Sequence, residues 1–229
     1  MHGELLGSEQ LSVRAGALAR KQTVEVAPAR ARHAPLLARL DQTRRILADA
    51  QAQLAEAAAR NVDVGPAAAW LLDNYHVVQE HIREVRESLP GGYYRELPRL
   101  SAGPLAGYPR VYELAITLIS HTEARIDLDN VDLFIGAYQT ERTLSMGELW
   151  AIPAMLRLAL LESVRRMTLR TVERLAQIED ADRRGARLVD RPGPSVAAAV
   201  DEFLRDPPRL TSTFVARLLY SLRESRAAH

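Results

Sequence analysis

At 229 residues, 47% hydrophobic and 5% aromatic, the chain is long enough to bury a core without staples, and that core must come mainly from Ala, Leu, Val and Ile, which favours helices over a β-sandwich. Thirty basic residues against 29 acidic ones leave a net charge of +1, which excludes a global field for nucleic acid or an anionic membrane; the arginine excess, with Lys21 the single lysine, reads as a codon effect. The absence of cysteine excludes disulfides, thiolate nucleophiles and Cys-type zinc sites, and the start MHGELLGSEQ carries no signal-peptide pattern, so the chain reads as soluble and unexported.

Ser8 caps a first predicted helix with Leu11, Val13, Ala17 and Leu18 as its stripe, running to about Gln22, and Thr23 to His33 reads as a connection. Leu36, Leu37, Leu40, Leu47, Leu54 and Ala57 mark a long second helix ending near Arg60. Pro66 suits the first turn of a third, whose stripe Leu71, Tyr75, Val78, Ile82, Val85 and Leu89 stops at Pro90-Gly91-Gly92. The two long segments predict an antiparallel helical hairpin. Pro90 to Arg110 is too broken by proline and glycine for a long regular element and reads as an ordered loop.

Helix resumes near Pro109 and runs to about His121, burying Val111, Leu114, Ala115 and Leu118, and Asp127 or Asp129 caps the next, Val131 to Gln139. Ser145-Met146-Gly147-Glu148 has the form of a capping box. It opens an amphipathic helix with Leu149, Ile152, Leu156, Leu160, Val164 and Met167 on one side, bent at Pro153 and reaching Asp182. Arg183 to Pro194 reads as an exposed break before helices Ser195 to Arg205 and Thr211 to Glu224. No convincing strands are found. The expected class is all-α: a multi-helix bundle with long antiparallel helices and a Pro/Gly/Tyr-rich interhelical loop. It is read as one domain, with residues 1–33 an N-terminal helix and connection, 34–182 the main bundle and 183–229 the C-terminal helices.

The densest polar cluster is His76, Glu80, His81, Glu84 and Glu87, at spacings that allow side chains to share a helix face and hold a metal. It is not His-Glu-x-x-His, and Arg83 and Arg86 lie among the acids, so an ion-pair network is the favoured reading. Asp127-Leu128-Asp129 mimics a nucleotide-sugar Asp-x-Asp motif but lacks a preceding apolar strand, and a helix cap explains it better. Phosphate-loop, dinucleotide and nucleophile-elbow motifs are missing. Tyr75, Tyr112 and Trp150 sit on or beside apolar stripes and are expected in the core. Tyr93, Tyr94 and Tyr108 lie on the loop, where amphipathic rings serve packing or contact.

The segments AAAWLLDNYHVVQEHIREVRESLPGGYYRELPRL, GYPRVYELA and SMGELWAIPAMLRLALLESVRRM resemble the N-terminal region of bacterial cyclic β-1,2-glucan synthases, a glycosyltransferase/glucoside-phosphorylase fusion family. The resemblance covers about Glu4 to Arg223 and is strongest from Ala68 to Met167. It implies a parent enzyme that transfers glucose from UDP-glucose through a membrane-embedded glycosyltransferase domain, with a phosphorylase-like domain controlling chain length. Neither domain is here. Gln139 and Arg142 precede Thr143 rather than the tryptophan of the family's Gln-x-x-Arg-Trp pattern, so no family catalytic residue carries over.

The leading expectation is therefore a non-catalytic helical accessory domain serving assembly, positioning or regulation of the synthase, with no cofactor and no metal. Its partner would be the glycosyltransferase domain, in cis or in trans, on the cytoplasmic side of the inner membrane, with no membrane span and no nucleic acid. Tyr93, Tyr94, Arg95, Tyr108 and Arg110 are the candidate partner or sugar contacts, and a β-1,2-glucan-binding module is the alternative. A helical hydrolase or metal enzyme using Glu80, His81 and Glu84 is the third reading.

Overall fold

The apolar stripes become helices in the computed structural model, which describes residues 6–25, 35–122, 126–189 and 196–227. In chain order these form α1 (Ser8–Lys21), β1 (Val24–Glu25), α2 (Pro35–Ala59), α3 (Pro66–Asp73), α4 (Tyr75–Ser88), α5 (Gly91–Glu96), β2 (Arg99–Leu100), α6 (Arg110–His121), α7 (Leu128–Glu141), α8 (Met146–Val189), α9 (Val196–Arg205) and α10 (Ser212–Ala227). The all-α class holds. Among the described residues the only sheet is the pair of two-residue strands β1 and β2.

The strongest pattern is in α2. Its buried residues Leu36, Leu40, Thr43, Leu47, Ala50, Leu54 and Ala57 recur in alternating steps of four and three, the spacing of a coiled-coil seam. The chain separates into two compact units, Met1–Gln51 with Trp70–Arg166, and Ala52–Ala69 with Met167–His229; α2 and α8 contribute residues to both.

In the first unit Arg86, near the end of α4, pairs with Asp41, near the start of α2, as the antiparallel hairpin requires. Arg157 of α8 pairs with Glu84 of α4 at 3.2 Å. Helix α1 packs on α7, where Gly16 lies so close that a Cβ would stand 3.6 Å from the Glu141 side chain. β1 and β2 pair antiparallel, Val24 with Leu100 and Glu25 with Arg99. On its other side β2 bridges Arg99 to Pro109 and bonds Leu100 to Tyr108. The turn between them needs positive φ at Gly103 and Gly107, 88° and 83°, which only glycine adopts without strain.

In the second unit Phe214 of α10, Ala181 and Leu175 of α8 and Ala57 of α2 are buried. Gly185 brings α8 against α10: a Cβ there would sit 2.7 Å from Ser221 Oγ. The turn after α2 uses positive φ at Asn61 and Gly65.

Several sequence expectations change. The predicted third helix divides at Asn74, whose backbone and side-chain amides both donate to the Trp70 carbonyl, at 3.0 and 2.8 Å. The Pro90–Arg110 loop contains α5 and β2. The α8 helix does not stop at Asp182 but runs to Val189, because Gly185 packs rather than terminates; residues 190–195 of the predicted break lie outside the described residues. So do residues 26–33 of the predicted connection. Gly7, not Ser8, precedes the first helical residue, with the Gln10 side chain reaching back to its amide. Val13 and Met167, placed on buried stripes by period alone, are 65% and 53% exposed, and Trp150, placed just beside one and expected in the core, is 74% exposed.

Candidate functional site

The capping box predicted at the start of α8 is formed, and it does more than cap. Ser145 Oγ accepts from the Glu148 amide at 3.3 Å, and Glu148 Oε2 accepts from the Ser145 amide at 2.9 Å. Glu148 is fully buried and also takes Arg110 side-on, Nε to Oε1 at 2.5 Å and Nη2 to Oε2 at 2.7 Å. Arg110 Nη2 further donates to the Thr143 carbonyl, and its guanidinium lies 5.9 Å from the Tyr138 ring centroid. Burial pushes the Glu148 carboxyl up, but the Arg110 and Ser145 hydrogen bonds more than offset it and hold the group below its ordinary value.

Gln22, at the end of α1, extends this node. Its side chain donates to the Arg110 carbonyl and to Glu113 Oε2 at 2.9 Å, and accepts from the Tyr138 hydroxyl at 2.5 Å; its own carbonyl accepts from Arg142. Four helices, α1, α6, α7 and α8, thus meet on one satisfied polar network.

A second buried carboxylate lies further along α8. Glu162, 1% exposed, accepts from Arg39 Nε and Nη2, both at 2.9 Å, from Thr43 Oγ1 at 3.0 Å and from Arg165 Nη2 at 2.9 Å. Burial again pushes the carboxyl up, and the Arg39 and Arg165 contacts again hold it lower. These donors match a carboxylate with ionic hydrogen bonds on both oxygens.

The five sequence-predicted contact residues fall into two groups. Tyr94 and Arg110 are buried, so they offer no surface to a partner. Arg95 is exposed on α5, while Tyr93 and Tyr108 are half-buried. The Tyr93 hydroxyl donates to the Gly147 carbonyl at the start of α8, and Tyr108 stacks on buried Tyr112 with centroids 5.5 Å apart. Burial pushes the Tyr94 and Tyr112 phenols up, so both remain neutral.

The His76–Glu87 region of α4 carries ion pairs. Glu84 meets His81 at 2.9 Å and Arg157 at 3.2 Å, and Arg83 lies 3.5 Å from Glu80 and 3.8 Å from Glu87. Among the described residues no three His, Asp or Glu side chains are grouped to hold a metal. Asp127 caps α7 by accepting from the Asn130 amide at 2.7 Å. In the second unit a cleft of about 740 Å³ is lined by residues 61–65, Arg174 and Asp182 of α8 and Arg217 of α10, with Arg217 held side-on by Asp182.

Sequence reasoning missed Glu162, Arg39, Thr43 and exposed Trp150. A signal for Glu162 was present: it stands four residues after buried Leu158, inside the apolar run LALLESV. Among the described residues no helix is long and apolar enough to cross a membrane.

No family model matches the chain. Over 177 residues it is 38% identical to Cyclic beta-(1,2)-glucan synthase NdvB of Rhizobium meliloti (strain 1021). The match covers 73% of this chain and 6% of that relative, so the chain is homologous to a small part of a much longer protein. The likeness to cyclic β-1,2-glucan synthases implied by the motifs therefore holds across most of the chain.

Proposed function

We propose, from this similarity to a segment of a cyclic β-1,2-glucan synthase, that the chain is a non-catalytic helical accessory domain that positions, assembles or regulates the synthase. The observation that carries the reading is the 38% identity over most of this chain to so small a share of the relative. It agrees with the chemistry of the first unit, where the buried carboxylates Glu148 and Glu162 are each saturated by arginines and hydroxyls. A carboxylate so held is a structural anchor rather than a poised acid or base. The partner is the glycosyltransferase domain, in cis or in trans, at the cytoplasmic face of the inner membrane.

Two measurements test this. Tagged chain incubated with membrane extract of a glucan-producing bacterium should retain a glycosyltransferase identified by mass spectrometry. Turnover of UDP-glucose by the purified chain alone would sink the non-catalytic reading.

A second reading, a glucan-binding surface, is favoured by one specific feature. Gly147, against which Tyr93 rests, and Trp150, 74% exposed, are three residues apart on α8 and share a face; exposed Arg95 is two residues from Tyr93. An open indole on the helix face that Tyr93 touches suits stacking on a sugar ring. Titration with linear and cyclic β-1,2-glucans should then give a saturable tryptophan fluorescence change that Trp150→Ala abolishes. Silence at millimolar glucan removes this reading and leaves the first intact.

A further inference from the structure

The cleft of the second unit is walled by the turn after α2, the later part of α8 and the start of α10, and every residue lining it belongs to that unit. Its volume of about 740 Å³ falls within the range of small-ligand sites, about 300–1,000 Å³. The walls are held from within. Thr211 Oγ1 donates to Gln177 Oε1 at 2.7 Å and ties the start of α10 to α8, and Asp182 takes Arg217 Nε and Nη2 at 2.7 and 2.9 Å. In the turn, Asp63 Oδ1 accepts from the Gly65 amide at 2.9 Å.

These bonds leave over a mixed set of donors and acceptors. Among the described residues the Asn61 side-chain amide, the Thr213 hydroxyl and the Arg174 guanidinium, all on the lining, have no hydrogen-bond partner. Asp63 keeps Oδ2 unused, and Arg217 keeps Nη1. Much of the remaining lining is aliphatic, from Val62, Val64, Leu175 and Ile178. Arg174 and Arg217 against Asp63 and Asp182 leave the cleft without net charge.

Each feature narrows the ligand. A lining without net charge supplies no field to gather phosphate, a carboxylate or a cation. A wholly apolar ligand would strip water from the unused donors and acceptors and give nothing back. A neutral ring bearing hydroxyls meets both demands, since each hydroxyl donates and accepts while the C–H faces of the ring are apolar.

We infer that this cleft is a saccharide site, in which Asn61, Asp63, Arg174 and Thr213 bond the hydroxyls and the aliphatic side chains take the C–H face. That the saccharide is a β-1,2-glucan rests on the glucan reading above. The place is a different one, because Trp150 belongs to the first unit and lines no part of the cleft.

The test is a titration of the whole chain with linear β-1,2-linked glucose oligosaccharides, and separately with inorganic phosphate. The backbone amide resonances of Val64 and Thr213 report on the cleft, and the indole resonance of Trp150 reports on the other surface. The oligosaccharide should move Val64 and Thr213 saturably, and phosphate should leave them in place. Affinity should fall about tenfold in Arg174→Ala, which removes a charged donor at an exposed position without a partner in the fold. It should fall less in Asn61→Gly, which removes a neutral side chain and keeps the left-handed backbone, φ 58°. Trp150→Ala should leave the cleft response as in wild type. Movement of the Trp150 indole alone overturns the cleft and leaves the glucan reading standing, whereas silence of all three resonances at millimolar oligosaccharide removes both. Movement of Val64 and Thr213 by phosphate and not by the oligosaccharide also overturns the inference, because the cleft would then select charge.

Discussion

The two compact units draw on the same arginines and acids and use them differently. In the first, Glu148 and Glu162 are 0% and 1% exposed and every oxygen is met by an ionic or hydroxyl donor. In the second, the paired acids Glu179, Asp180, Asp182 and Asp206 keep between 32% and 87% of their side chains in solvent. A buried carboxylate loses its hydration and is tolerable only with its full set of partners, so removal of one member is costly. An exposed pair trades one set of water contacts for another and is worth little. Among the described residues the fully buried carboxylates thus lie in the first unit, beside most of the buried apolar side chains. The paired acids of the second stay in solvent, and its helices meet through apolar contacts and close approach.

The largest break in that contrast is Glu148→Ala. It leaves Arg110, itself 7% exposed, as an uncompensated buried cation and removes half of the cap on α8. A loss of about 3–5 kcal/mol is expected in urea denaturation. Replacing both partners, Arg110→Met with Glu148→Leu, should recover much of it, since neither charge is then stranded. Glu162→Ala should cost less, about 2–4 kcal/mol, because the Arg39 and Arg165 side chains are 34% and 20% exposed and can rehydrate. A loss below 1 kcal/mol at either glutamate would erase the distinction between the units.

Acid sharpens the same contrast. At Glu148 and Glu162 burial raises the carboxyl, and the arginine hydrogen bonds lower it further than burial raises it. The folded value of each therefore lies below the ordinary 4.5. The unfolded chain takes up protons first as pH falls, so this stability is fully present above about pH 4.5 and is lost as pH drops through the folded values. Melting temperatures between pH 6 and 3 should fall more steeply for wild type than for Glu148→Gln. Equal slopes would mean that the carboxylate charge contributes nothing.

How much of this was legible in the sequence depends on what each feature needs. The helices of α2, α4 and α6 were readable because their apolar residues repeat at helical period, and the Ser145–Glu148 and Asp127 caps because capping is local chemistry. The Arg110–Glu148 pair was not, since 38 residues separate two groups of common type. Trp150 misled because a ring next to an apolar stripe need not be covered with it: Ile152 and Leu156 on the stripe are buried and Trp150 is not. Tyr94 and Arg110 were read as contacts because a Pro- and Gly-rich segment suggested a loop that could present them; Tyr94 on α5 and Arg110 at the start of α6 are instead buried. Arg183 to Pro194 was read as an exposed break, but Gly185 within it stays helical and admits α10. Gly185→Ala should accordingly cost about 1–3 kcal/mol through the clash with Ser221, rather than stabilise α8 as alanine does in an open helix.

The smallest expected effect is also the one that tests the second half of the contrast. Arg60 and Glu179 lie 2.9 Å apart with side chains 56% and 36% exposed. A double-mutant cycle of Arg60→Ala and Glu179→Ala should give a coupling of about 0.2–1 kcal/mol at low salt. That coupling should shrink toward zero near 1 M salt, where screening acts over about 3 Å. A coupling of 2 kcal/mol or more, resistant to salt, would place this pair in the same energetic class as Arg110–Glu148. Solvent exposure would then be a poor guide to which of the chain's many arginines hold it together.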